Sequence, residues 1–261
     1  MSSLYREPWS SCPVIHRLDY AESILKRLEG TGELKGAFKS HPDLTILTAH
    51  DSPEPSLLEQ NLSHLGIREC CEVLHPTEGV TWRNTMKTEL IVKYLKSGRC
   101  KSTYLLYLDA FDVVLQAGPE KIVEVFQAYE CDLLFMSTNT LTGYMCMPDV
   151  REWADSIYRG RYLNAGVFIG RPAFILEVMA EATDYIVDNP ITWQEIRALG
   201  KGISDTRLCE RLPHYPRGLP SDQLILRYLH PKYYPRMKVD YTNLLAWRSK
   251  PGCPDSLKRA P

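Results

Sequence analysis

From residue 43 onward, short apolar runs alternate with longer segments whose apolar positions recur every three or four residues, the signature of strands and helices taken in turn. Residues 43–48 (Asp43-Leu44-Thr45-Ile46-Leu47-Thr48) are a β-rich run closed by the turn cluster Ala49-His50-Asp51-Ser52-Pro53. Pro55 opens a predicted helix through Leu65, and residues 71–74 read as a second short strand. Between Trp82 and Ser97 the apolar Met86, Leu90, Ile91, Tyr94 and Leu95 keep helical spacing, while Arg83, Lys87, Lys93 and Lys96 take other faces and Gly98 ends the segment. Residues 103–108 are an apolar run bounded by charge, as expected of a central strand covered on both faces. Pro119 stands at a first helical position ahead of Ile122, Val123, Phe126 and Tyr129, and residues 132–136 form the next strand.

Strand, helix, strand in this order needs crossover connections. That predicts an α/β protein with a mostly parallel central sheet flanked by helices, and ligands gathered beyond the carboxyl ends of its strands. Residues 1–40 read as a helix-leaning lead-in, 139–161 as irregular, 173–188 as helix, 190–220 as Pro-studded and 248–261 as a solvated tail, all within one domain spanning 1–261.

Composition narrows the class. With 31 basic against 32 acidic residues the net charge is −1, so the basic excess of a general nucleic-acid binder is missing. Apolar stretches stop after four or five residues, far short of the roughly 20 that span a bilayer. The first residues lack the apolar centre of a secretory signal, and the expectation is a cytoplasmic chain with no membrane span. Eight cysteines (Cys12, Cys70, Cys71, Cys100, Cys131, Cys146, Cys209 and Cys253) are irregularly spaced without a Cys-x-x-Cys pair, which reads as reduced thiols rather than a disulfide framework or zinc site.

The candidate chemistry centres on Asp109-Ala110-Phe111-Asp112, two carboxylates three residues apart in an otherwise apolar segment. Two like charges side by side need a shared proton or a cation, and hard oxygen ligands suit Mg²⁺ or Mn²⁺. On position alone, both acids read equally as solvated turn residues or helix caps.

Three motifs in order decide between these readings: Asp109-Ala110-Phe111-Asp112 at a strand end, Arg161-Tyr162-Leu163-Asn164-Ala165-Gly166, and Ser221-Asp222-Gln223 opening an apolar helix. Together with Trp82 and Lys87 upstream, and Met237-Lys238-Val239-Asp240 with Asn243 downstream, they resemble the glycosyltransferase domain of the procollagen lysyl hydroxylases and related collagen glycosyltransferases. The resemblance runs from about Thr45 to Ala246. It implies a glycosyltransferase-A fold, a Rossmann-like sheet flanked by helices, and a metal-dependent transfer of a hexose from a nucleotide diphosphate sugar, usually a uridine diphosphate (UDP) sugar, to a hydroxyl-bearing acceptor.

Carried over by position, Asp109 and Asp112 would hold Mn²⁺ or Mg²⁺, with Asp109 nearer the sugar and ribose. Thr48 and His50 would lie at the uracil edge, Trp82 beside the nucleotide and Lys87 near a phosphate. Asn164, Ala165 and Gly166 would border the sugar, and Asp222 and Gln223 would face donor and acceptor. Asn164 and Asp222 are the candidate catalytic residues, with Asp222 as general base in an inverting transfer. His50 reads alternatively as a loop histidine, Trp82 as core, the Asn-Ala-Gly segment as a tight turn after a strand, and Ser221-Asp222 as a helix cap.

Two departures stand out. The family's metal-binding histidine follows the last sheet elements, yet no histidine follows His230, so Asp240 or water is expected in its place. The run of several acids before the glutamine is reduced to Ser221-Asp222. A metal-dependent phosphohydrolase and a non-catalytic nucleotide-binding or glycan-binding domain are the competing readings.

Overall fold

The computed structural model describes residues 12–16, 18–140, 147–188, 190–192, 194 and 218–247. In chain order these form β1 (Val14–His16), α1 (Leu18–Thr31), β2 (Leu44–Ala49), α2 (Leu57–Leu65), β3 (Cys71–Leu74), α3 (Met86–Lys96), β4 (Tyr104–Leu108), β5 (Val113–Leu115), α4 (Pro119–Ala128), β6 (Leu133–Thr138), α5 (Pro148–Tyr158), β7 (Tyr162–Gly170), α6 (Pro172–Thr183), α7 (Asp222–Tyr233), β8 (Met237–Asp240) and β9 (Ala246–Trp247).

Six strands line up in the order β3-β2-β4-β7-β6-β8. Five run in one direction and β7 alone runs against its neighbours, giving the mostly parallel α/β sheet expected of a glycosyltransferase-A-like fold. Successive side chains of the central strand β4 serve opposite cores. Leu105 and Tyr107 pack with Ile91 of α3, Val178 of α6 and Leu224 of α7, whereas Leu106 and Leu108 pack with Leu58 of α2 and Phe126 of α4. Burying one such leucine fully contributes about 1.5–3 kcal/mol. The run is therefore apolar at both phases of the pleat, and it fixes the point at which Asp109 emerges.

The helix boundaries follow local chemistry. Ser56 caps α2 through a capping box with Glu59, and Gly66 closes it at φ +85°, a conformation that an L side chain resists. Pro119 takes the first turn of α4 as expected. Pro148 does the same for α5, a helix within the stretch read as irregular.

The lead-in reading also needs correction. Val14–His16 is a strand in a small second sheet of order β5-β1-β9, antiparallel to β5 and parallel to β9. Its register sets His16 opposite Val113, next to Asp112. Residues 1–11, most of the Pro-studded stretch, the tail from 248, Cys146, Cys209 and Cys253 lie outside the described residues. The other five cysteines are free thiols. Burial pushes those of Cys12, Cys71 and Cys131 up to about 12, which leaves them inert. No described helix is long and apolar enough to cross a membrane.

Candidate active site

The carboxyl ends of β2 and β4, the amino-terminal half of β7 and the first turn of α7 enclose a cleft of about 380 Å³. His50, Trp82, Lys87, Asp109, Asp112, Asn164, Ala165, Gly166, Asp222 and Gln223 all line it. Residues drawn from five separate stretches of sequence thus meet in one depression. Thr48 does not line it: it is fully buried, two residues below His50 on β2.

Each side chain is delivered by an element with a reason to stop or bend there. Asp109 follows the last residue of β4, and its amide donates to the Gly166 carbonyl at 2.8 Å. Trp82 precedes α3 rather than lying within it, and Lys87 sits in that helix's first turn. Ser221 caps α7 through the Leu224 amide at 3.4 Å, so the capping reading holds, and Asp222 occupies the first position. Asn164, Ala165 and Gly166 lie inside β7, not after a strand. Pairing with β6 jumps from Phe168 to Asn164 across one step of β6, and this irregularity frees the segment from the ladder.

Gly166 is required by what stands over it. An added Cβ would come within 2.5 Å of His16 Nε2 and 2.7 Å of Asp109 Oδ2. The Asn164 side chain folds back to accept from the Gly166 amide at 2.9 Å, and Gln223 Oε1 accepts from the Ala165 amide at 3.3 Å.

His16 completes a cluster that the sequence did not reveal. Its Nε2 lies 3.2 Å from Asp112 Oδ2 and 3.7 Å from Asp109 Oδ2. One ligand atom from each of the three residues falls within 4.8 Å of the others, a set able to hold a metal ion. Phe111, Asn84 and Asp51 also line the cleft unforeseen. Phe111, 46% exposed, stands edge-on to the His50 ring at 5.4 Å.

Asp240 has another job. Its Oδ1 accepts from Tyr129 Oη at 2.6 Å and the Leu244 amide at 2.9 Å, and its Oδ2 from the amides of Leu245 at 2.8 Å and Ala246 at 3.0 Å. Buried and absent from the cleft lining, this carboxylate holds the turn into β9 instead of joining the acidic pair. His230 is likewise spoken for: buried, it meets the Met237 carbonyl at 3.1 Å and Tyr158 Oη at 3.2 Å.

Beneath the acidic pair lies a buried ammonium. Lys87 Nζ is 2.8 Å from Asp222 Oδ2, 3.3 Å from Asp109 Oδ1 and 3.1 Å from the Ala165 carbonyl. Burial opposes its charge, but Asp109 and then Asp222 outweigh that and hold its pKa above the ordinary lysine value. Burial would raise the Asp109 carboxyl, yet Lys87 and His16 bring it well below the usual range. For Asp222 burial wins, and its pKa stands above the ordinary value despite Lys87. Two carboxylates at opposite ends of one ammonium thus differ in basicity, a separation typical of sites that move protons.

No curated protein matches the sequence. Residues 80–189, which hold Trp82, Lys87, the acidic pair and the Asn-Ala-Gly segment but neither His16 nor Asp222, match the family model described as the PLOD GT domain. The match covers less than half of the chain and is a similarity to the family that the sequence motifs resemble.

Proposed function

We propose that the chain is a metal-dependent hexosyltransferase that moves a hexose from a UDP-sugar to a hydroxyl-bearing acceptor, with Mn²⁺ or Mg²⁺ held by His16, Asp109 and Asp112. The observation that carries this reading is the convergence of those three side chains in the wall of a cleft that also gathers Trp82, Lys87, Asn164, Asp222 and Gln223. The donor set fits the ion: two hard carboxylates and one imidazole suit a first-row divalent cation. Gly166 keeps the space below them clear. A bound divalent cation supplies charge stabilisation for the departing diphosphate.

The protein's own groups do the rest. His50, Phe111 and Trp82 all line the cleft, the first two in edge-on ring contact, and give it aromatic surface suited to a nucleobase. Because the carbonyl oxygens of Asn164 and Gln223 are taken by backbone amides, their amino groups are left to donate to sugar hydroxyls. Lys87 keeps a positive charge beside Asp109 and orients Asp222. In an inverting transfer, Asp222 takes the acceptor hydroxyl's proton as the new bond to the sugar's anomeric carbon forms and the bond to diphosphate breaks. Its raised pKa makes it the stronger base of the pair flanking Lys87.

The test is UDP release from a panel of UDP-hexoses with Mn²⁺, with and without a chelator, using the native chain and Asp112→Ala. Turnover lost in both the chelated and the substituted samples supports the reading. Full activity of Asp112→Ala rejects the metal role, and nucleotide binding without turnover across the panel reduces the chain to a binding domain.

A further inference from the structure

The three side chains that meet at the candidate metal site come from two different sheets. Asp109 leaves β4 of the six-stranded sheet, whereas His16 ends β1 and Asp112 precedes β5, both strands of the small sheet of order β5-β1-β9. The pairing of β1 with β5, which sets His16 opposite Val113, fixes His16 against Asp112. It fixes neither of them against Asp109. That placement depends on how the small sheet is fastened to the large one.

α2 supplies a fastening. It is the crossover between β2 and β3, neighbours in the large sheet, and Leu58, Asn61, Leu62 and Leu65 on its inner face are all fully buried. A carboxamide among leucines is costly without partners, and Asn61 finds both of its partners on one residue of β5. Its Oδ1 accepts from the Leu115 amide at 2.8 Å, and its Nδ2 donates to the Leu115 carbonyl at 3.4 Å. Because β5 is the edge of the small sheet, this side chain stands where the peptide group of a further strand would, an acceptor and a donor against a donor and an acceptor. One turn earlier, the Leu58 amide has no acceptor within its own helix and donates to the Ala110 carbonyl at 3.0 Å. The segment that carries Asp112 is thus gripped at both ends by one helix, at Ala110 by backbone and at Leu115 by Asn61.

We infer that Asn61 is a positioning residue for the metal site, whose carboxamide clasps β5 to α2 and so holds Asp112 and His16 at ligand distance from Asp109. This rests on the metal reading of those three residues and adds to it the group that keeps them together. Asn61 itself does not line the cleft. Leucine at this position has a similar shape but no hydrogen-bonding group, so it keeps the packing and leaves both polar groups of Leu115 unpaired. Serine is too short to reach them both.

The test compares the native chain with Asn61→Leu, Asn61→Ser and Val178→Ala, the last of which removes buried volume from α6 in the opposite core and touches none of these bonds. Two quantities are read on folded protein: Mn²⁺ binding in the presence of UDP, by calorimetry and electron paramagnetic resonance, and hydrogen exchange of the Leu115 amide without metal. Both Asn61 variants should exchange at Leu115 about tenfold faster or more, the mark of a local bond lost. Their Mn²⁺ affinity should fall by about tenfold or more, with a changed spectrum. Val178→Ala, although destabilised, should keep native affinity and spectrum. Native affinity and spectrum in either Asn61 variant that folds, or native exchange at Leu115, overturns the inference. An equal loss of affinity in Val178→Ala also overturns it, because the effect is then one of stability alone. These outcomes leave the metal reading standing, whereas a native chain that binds no Mn²⁺ overturns both.

Discussion

Lys87 and Asp222 form a buried ion pair with 2.8 Å between Nζ and Oδ2, and the same ammonium reaches Asp109 Oδ1 at 3.3 Å on its other side. One cation thus ties the acidic pair at the end of β4 to the first residue of α7. Removing one member of a buried pair leaves the other uncompensated, at a cost of about 3–5 kcal/mol. Lys87→Met is expected to lose stability on that scale in urea unfolding. Adding Asp222→Asn to it should recover part of the loss; equal stability of Lys87→Met and native protein would contradict the pairing.

Gly166 should tolerate no side chain. In Gly166→Ala the new methyl meets His16 Nε2 and Asp109 Oδ2 at 2.5 and 2.7 Å, well inside contact distance. Overpacking of this kind costs about 1–3 kcal/mol. Thermal melts should report that loss, and Mn²⁺ titration should report affinity reduced by about 10-fold or more through the displaced imidazole and carboxylate.

Asp240→Ala separates a structural acid from a liganding one. Five donors lose their acceptor, the hydroxyls of Tyr129 and Thr242 and the amides of Leu244, Leu245 and Ala246, and each buried group left unsatisfied costs about 1–3 kcal/mol. We expect marked destabilisation with unchanged Mn²⁺ affinity in whatever fraction remains folded. Asp112→Ala should behave in the opposite way, since that side chain is about one-third exposed and pairs with His16.

His230 sets an acid limit on the fold. Burial lowers its pKa to about 3, against a smaller opposing pull from the Met237 carbonyl. Between about 6.5 and 3 the unfolded chain holds a proton on this ring that the native protein does not, so stability is fully present above that window and falls as pH drops through it. The slope from this group approaches about 1.4 kcal/mol per pH unit. Urea unfolding from pH 7 to 4.5 should show a shallower pH dependence in His230→Phe than in the native chain; identical slopes would remove His230 from the account.

What the sequence made legible follows from which forces are local. The run through Leu105, Leu106, Tyr107 and Leu108 announced a strand buried on both faces because each residue serves one of two cores. The acidic pair stood out because like charges rarely interrupt such a run. His16 did not, since a three-residue strand is defined by its pairing with β5 and β9, distant in the chain, and Val14-Ile15 after Pro13 was the only local hint. Asp240 misled for a related reason. An aspartate closing a strand reads the same whether it turns toward an ion or collects the amides of the next turn. Asn164-Ala165-Gly166 suggested a turn because small residues are common there, whereas the structure uses them inside β7 to let His16 and Asp109 approach the backbone.

The central claim is that His16, Asp109 and Asp112 act together on one divalent ion bound with a nucleoside diphosphate. Its most direct test is Mn²⁺ binding in the presence of UDP, measured by calorimetry and by the electron paramagnetic resonance of the bound ion. The native chain, His16→Ala and Asp112→Ala should be compared after each is shown to be folded. We expect one Mn²⁺ per native chain and affinity reduced by about 10–100-fold in both variants. Unchanged affinity and an unchanged spectrum in His16→Ala and Asp112→Ala would contradict it.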